Sequence, residues 1–154
     1  MRNYIRFWFA FVYPNMSFLE SGNGNIVMSK IRKGLVSSHI SFVYEDICRE
    51  KMWDMNAAGC WDFNFSKIGR YWDSSVEIDI AALDPDGKNL ILGECKYWTE
   101  PVGINILAAL EEKAKSVEWN RQNRKTHYVL FSTGGFTPEL EKLANERNDV
   151  LLAK

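Results

Sequence analysis

Asp79, Glu94 and Lys96 are the residues whose types and spacing could do chemistry. They lie in the stretch VEIDIAALDPDGKNLILGECK, residues 76–96, where two short apolar runs flank the turn DPDGK. An acid on one strand and Glu-x-Lys on the next can hold a divalent metal beside a phosphodiester, because hard cations take carboxylate oxygens. Such a metal polarises a phosphate oxygen and supplies a hydroxide-like water. The ammonium steadies the charge that develops on the phosphorus centre.

Two strands must position these groups. Asp-Pro-Asp-Gly is a strong turn signal, since proline presets φ and glycine accepts positive φ. Val76–Ile80 alternates, so Glu77, Asp79 and Ala81 share one face of the first strand. Leu90, Leu92, Glu94 and Lys96 share one face of the second. A loop of Pro85 to Lys88 pairs Leu83 with Leu90 and sets Asp79 opposite Glu94. Like charges directly opposite destabilise a sheet, and a metal between them removes the conflict. The competing reading has Asp79 and Glu94 as solvated charges on an edge hairpin, with Lys96 a surface partner. Glu77 points with Asp79 and is a candidate for the same cleft, or a solvated strand residue.

Upstream, Ser41 to Asn56 reads as a helix with Ser41 as N-cap. Phe42, Cys48 and Met52 form a stripe at helical spacing, and Glu45 sits within it. An acid inside an apolar stripe is costly without a partner. Glu45 therefore either points at the metal site or snorkels from the stripe border.

The order helix-Glu45, Asp79, Glu94-x-Lys96 resembles the PD-(D/E)xK nuclease superfamily, with isoleucine at 78 in place of the proline of its name. The chain is more closely similar to the C-terminal nuclease-like domain attached to archaeal AAA-type ATPases. Arg6–Asn15, Phe42–Glu50, and Ile68–Ile80 running on to Gly93–Tyr97 carry that resemblance. It implies an α/β fold with a restriction-endonuclease-like core, a mixed central sheet flanked by helices. It implies a metal-dependent DNA endonuclease using Mg²⁺ or Mn²⁺. Glu45, Asp79, Glu94 and Lys96 are then its catalytic residues. Asp79, Glu94 and the Cys95 backbone carbonyl hold the metal, while Lys67 and Arg70 flank the site. An AAA-type ATPase module is the implied partner. No P-loop is present: Gly22-Asn-Gly-Asn lacks the lysine, so ATP hydrolysis is not expected. The chain reads as a stand-alone domain or as part of a longer product.

Composition sets bounds on these readings. The chain of 154 residues is 46% hydrophobic and 14% aromatic, enough for one domain with a real core. Tyr4 to Tyr13 is apolar but contains Arg6, stops at Pro14 and is too short to span a bilayer. It also lacks a signal-peptide cleavage site. Its aromatics, Phe7, Trp8, Phe9 and Phe11, are expected to be covered by the domain or by a second copy, which would make a homodimer. Cys48, Cys60 and Cys95 lack disulfide or zinc spacing and suggest reduced thiols in the cytoplasm. The net charge of −1 does not advertise a nucleic-acid binder. Two local basic runs, Lys30/Arg32/Lys33 and Arg121/Arg124/Lys125, partly answer that, or are solvated loops.

The remainder alternates. Phe65–Trp72 reads as a strand with a bulge or close approach at Gly69. Ile104–Asn120 reads as a helix with Ile104, Leu107, Ala108, Ala114 and Val117 inward. His127–Phe131 is β-rich, Thr137-Pro starts a helix, and Asn148–Leu152 closes as a strand. The order α-β-β-β-α-β-α-β predicts a mixed sheet whose strand after Lys96 pairs in parallel. Residues 1–25 read as an aromatic tail and linker, the remnant of a preceding winged-helix region. Residues 26–154 read as the nuclease-like domain. The alternative function is a non-catalytic module that senses DNA or docks a partner.

Overall fold

The computed structural model describes residues 2–35 and 39–154. The chain divides into two compact units, Met1–Asp46 and Ile47–Lys154.

The first unit is helical. The aromatic stretch forms α1 (Arg2–Phe7), a π-helical turn (Trp8–Val12) and a 3₁₀ turn (Tyr13–Asn15). It continues into α2 (Met16–Glu20) and α3 (Gly24–Leu35). In the Ser21–Asn25 stretch, expected to separate tail from domain, Ser21–Asn23 form a turn inside this unit and Gly24 opens α3. Gly22 takes φ +79°, and the Asn23 N–H bonds back to the Phe18 carbonyl at 2.8 Å. This is a helix-ending turn of the kind glycine favours. Lys30, from the first basic run, donates to Asn15 Oδ1 at 2.7 Å and lies over the Phe18 ring. The aromatics are covered unequally. Phe11 is buried, Phe7 and Trp8 are half-buried, and Phe9 is 59% exposed. A helical stretch turns only one face inward, so consecutive aromatics cannot all be covered by their own unit.

Helix α4 (Ser41–Ala57) leads into the second unit, where Cys48, Met52 and Met55 are buried. Five strands follow: β1 (Lys67–Trp72), β2 (Glu77–Leu83), β3 (Asn89–Lys96), β4 (Lys125–Ser132) and β5 (Val150–Ala153). Between them stand α5 (Ile104–Ser116) and α6 (Pro138–Glu146). The sheet order is β1-β2-β3-β4-β5, antiparallel on the β1 side of β3 and parallel on the β5 side. This is the mixed, helix-flanked sheet that the alternation predicts. Register shifts between Gly69 and Tyr71, so the expected bulge is present. A methyl group at Gly69 would meet nothing within 4 Å, so no close approach accounts for it.

Central strand β3 is buried on both faces from Leu90 to Cys95. It is covered in part by α5, which buries Leu107, Leu110 and Ala114, with Val117 just past its end, at three- and four-residue steps. Ile104 and Ala108, expected inward, are exposed, and Leu110 fills the stripe instead. The helix also stops at Ser116 rather than Asn120. Arg124 braces this end: its guanidinium donates to the Ala114 carbonyl at 3.0 Å, which also accepts the Val117 N–H, and to the Trp119 carbonyl beyond the helix. This residue of the second basic run is therefore part of a helix end. Helix α6 starts as expected, with Thr137 Oγ1 accepting the Leu140 N–H and Pro138 in the first turn.

Candidate active site at the end of β2 and β3

The turn between β2 and β3 fixes the register of the acids. Asp84 is buried and accepts the Lys88 N–H and the Asn89 side-chain amide, each at 2.8 Å, while Gly87 takes φ +73°. Burial alone would raise the Asp84 carboxyl, but hydrogen bonds from Asn89, Lys88 and Gly87 hold it below its ordinary range. Leu83 pairs with Leu90, as the loop length requires. The ladder runs on to Ile80 opposite Gly93. The next step is not a continued ladder pair. Asp79 Oδ2 accepts the Cys95 backbone N–H at 2.9 Å, so a carboxylate takes a donor of the central strand.

Glu94 is 5% exposed. Its Oε2 accepts from Lys96 Nζ at 2.7 Å, and its Oε1 accepts from Lys113 of α5. Lys113 also donates to the Glu77 carbonyl at 2.8 Å, so one ammonium ties α5 to the ends of both strands. Lys96 rests near the Trp98 ring. Arg49 of α4 donates to the Asp79 carbonyl at 3.0 Å and fixes the backbone beneath the acid. Burial, and then the charge of Glu94, raise the Asp79 carboxyl above its ordinary value of 3.8. The Cys95 N–H, Lys96 and Lys113 oppose that rise. The structure thus brings together Asp79, Glu94 and Lys96, with Cys95 between the last two.

Lys67 and the Glu77 carboxylate fall outside this cluster. Glu77 is exposed and lies 3.6 Å from Arg70; its backbone carbonyl, not its carboxylate, meets Lys113. Lys67 is exposed and pairs with Leu83, at the end of β2 away from Asp79. Glu45 is 7% exposed and belongs to the first unit. The Cys95 side chain is buried, and a hydrogen bond with the Cys48 thiol, together with burial, pushes its own thiol far up. It is a core residue rather than a nucleophile. Sequence reasoning missed Lys113 and Arg49. Lys113 carries one signal: it stands three residues after Leu110, on the border of the buried stripe, where a lysine can reach a buried acid.

Among the described residues, no three His, Cys, Asp or Glu side chains gather into a metal-holding group. Two carboxylates are nonetheless a donor set that Mg²⁺ accepts, since it keeps several waters and draws on substrate phosphates. Asp79 and Glu94 fit that chemistry: one raises the other, and a cation beside both would relieve the repulsion. The same burial and repulsion affect stability. A carboxyl held above its ordinary value favours folding most in acid, and that contribution is lost as pH rises through the folded value. Asp79→Asn removes the penalty and keeps an oxygen for the Cys95 N–H. We expect the variant to melt higher than wild type at pH 7, with the difference closing toward pH 4. Calorimetric scans across that range would test it, and a lower melting temperature at neutral pH would contradict it.

A family model for DUF234, described as archaea bacterial proteins of unknown function, matches residues 8–117. The chain belongs to the DUF234 family. The DUF234 match takes in Asp79, Glu94, Lys96 and Lys113 and stops before β4. A curated relative, Uncharacterized protein MJECL04 of Methanocaldococcus jannaschii, is 33% identical over 95 residues, 62% of this chain and 21% of the relative. The chain thus spans about a fifth of that relative's length. Among solved structures, a repair endonuclease from Pyrococcus abyssi is similar at 13% identity with a TM-score of 0.42, over 58% of this chain and 38% of that one. The EndoMS-dsDNA2 complex is similar at 12% identity with a TM-score of 0.37, over 68% and 42%. Likenesses this slight leave the activity to be argued from the chain itself. No helix among the described residues is long and apolar enough to cross a membrane.

Proposed function

We propose that the second unit hydrolyses DNA phosphodiesters with a divalent ion, Mg²⁺ or Mn²⁺. Asp79 and Glu94 would hold the ion, with the Cys95 carbonyl as a further oxygen. One observation carries the reading: Glu94, buried in the central strand, sits between two ammonium groups, and its charge adds to burial in raising the Asp79 carboxyl beside it. Structural ion pairs rarely bury a carboxylate next to a second carboxylate, because the two repel. An acid perturbed by burial and a named charge partner marks a candidate functional site. DNA as the substrate class rests on the resemblance of the order helix-Glu45, Asp79, Glu94-x-Lys96 to the PD-(D/E)xK superfamily.

The bound ion would supply Lewis acidity and an acidified water. Lys96 would hold the charge that grows on the phosphate oxygens as the attacking oxygen arrives. Arg49 and the Cys95 N–H keep the Asp79 carboxylate oriented through its backbone and its Oδ2. An AAA-type ATPase partner and a cytoplasmic setting belong to the same reading; the three thiols are free.

A second reading, a module that senses DNA or docks a partner without catalysis, is favoured by the first unit. Tyr4, Phe9 and Tyr13 there are more than half exposed, an arrangement that suits a partner or a second copy. The purified chain with Mg²⁺ or Mn²⁺ decides between the two. On linear, single-stranded, flap and four-way DNA we expect cutting that a chelator stops. Absence of metal-dependent cutting on all four, with an ATPase partner added in trans as well, would establish the second reading.

A further inference from the structure

We infer that Lys113 is a second phosphate-directed ammonium of the site, held on Glu94 until the divalent ion and the DNA arrive together. The inference rests on the nuclease reading above. Glu94 accepts from two lysines that come from different elements: Lys96 from its own strand and Lys113 from α5. Neither lysine is fully buried; their side chains are 22% and 34% exposed. Both therefore have room to swing toward a ligand at the surface, whereas Glu94 does not.

Charge balance couples the two ligands. Asp79 and Glu94 carry two negative charges, and Lys96 and Lys113 carry two positive ones, so the cluster is neutral without a ligand. For a divalent ion to bind there, Glu94 must exchange its ammonium partners. The cluster would then carry an excess of positive charge, which a phosphodiester neutralises. The released ammoniums find their new acceptors on the same phosphate, in charge-assisted bonds. Metal and DNA should therefore bind cooperatively, each tightening the other by the same factor. Lys96 alone would not produce this. With Lys113 absent, two carboxylates face one ammonium, and the site attracts a cation without help from DNA.

The arrangement also explains the second bond of Lys113. The Glu77 carbonyl holds the ammonium at 2.8 Å, so it stays tethered at the strand ends when Glu94 lets go. Lys113 acts as a positioning residue for substrate and a counter-charge to the metal, with no part in proton transfer.

Mn²⁺ titration by calorimetry tests this without relying on turnover. Four chains are compared, wild type, Asp79→Asn, Lys113→Met and Lys113→Arg, each with and without a phosphorothioate-substituted duplex. We expect Lys113→Met to bind Mn²⁺ roughly ten- to a hundredfold tighter than wild type without DNA, as loss of one nearby positive charge allows. DNA should tighten Mn²⁺ binding in wild type and in Lys113→Arg, and leave Lys113→Met unchanged. Melting curves confirm that each variant folds. If Lys113→Met binds Mn²⁺ no tighter than wild type, the role of Lys113 is wrong while the nuclease reading stands. If wild type binds no more Mn²⁺ than Asp79→Asn, with or without DNA, the nuclease reading itself falls and the inference with it.

Discussion

Asp79→Asn, Glu94→Gln and Lys96→Met should each reduce metal-dependent DNA cutting by at least roughly 10²–10³-fold, the scale of losing one charge-stabilising group. The three losses should differ in kind. Asp79→Asn and Glu94→Gln remove metal ligands, so both should weaken Mn²⁺ binding, and excess Mn²⁺ should recover part of their activity. Lys96→Met removes no ligand. Its Mn²⁺ affinity should be no weaker than wild type, and excess Mn²⁺ should not help it. Glu45→Gln tests the helix acid in the same assay. DNA affinity should fall with salt in every variant, because phosphate contacts dominate it. Cutting by Asp79→Asn at the wild-type rate would remove the site from consideration. Circular dichroism separates these effects from misfolding, and Asp79→Asn is itself expected to be more stable at neutral pH.

Gly93 should be a highly sensitive position for stability. A Cβ there would lie 2.6 Å from Val129 Cγ1, 3.0 Å from the Val129 carbonyl oxygen and 3.2 Å from Ile80 Cβ. Gly93 pairs with Ile80 on one side and Val129 on the other, in the middle of the sheet, so neither strand can give way alone. Gly93→Ala should cost about 1–3 kcal/mol, as overpacking in a tight core does. That corresponds to a drop in melting temperature of roughly 2–4 °C per kcal/mol for a domain of this size. Gly93→Val should be worse. Pairing Gly93→Ala with Val129→Ala should recover part of the loss, because the nearest clash is with the deleted methyl. Glu94 follows directly in the chain, so the strained variant should also lose activity. A melting temperature for Gly93→Val within a degree or two of wild type would refute the packing argument.

Much of the second unit is determined by local chemistry and so can be read from the chain. Asp-Pro-Asp-Gly makes its turn wherever it stands, so the Leu83–Leu90 register follows from loop length. Strand parity then brings Glu94 and Lys96 together. Thr137-Pro138 opens a helix for the same local reason. The alternation of helix and strand after Ser41 calls for a mixed sheet with a parallel strand after Lys96; the order of its strands is set by the tertiary pairing. Tertiary structure decided whatever depends on partners remote in sequence. Lys113 is one lysine in the run EEKAK until α5 crosses the sheet and brings it to a buried carboxylate. Arg124 reads as a member of a basic run until the fold brings it to the Ala114 carbonyl in the last turn of α5. Lys67 and Arg70 lie close to Asp79 in sequence, yet antiparallel pairing puts Lys67 at the far end of β2. The aromatic stretch near the start shows the same limit. Its composition calls for burial, but helical geometry turns Phe11 inward and leaves Phe9 outside. Local propensity sets which elements form and how neighbouring residues are spaced. Which distant charge completes a buried site is set by the crossing of elements, and no periodicity within one element encodes that.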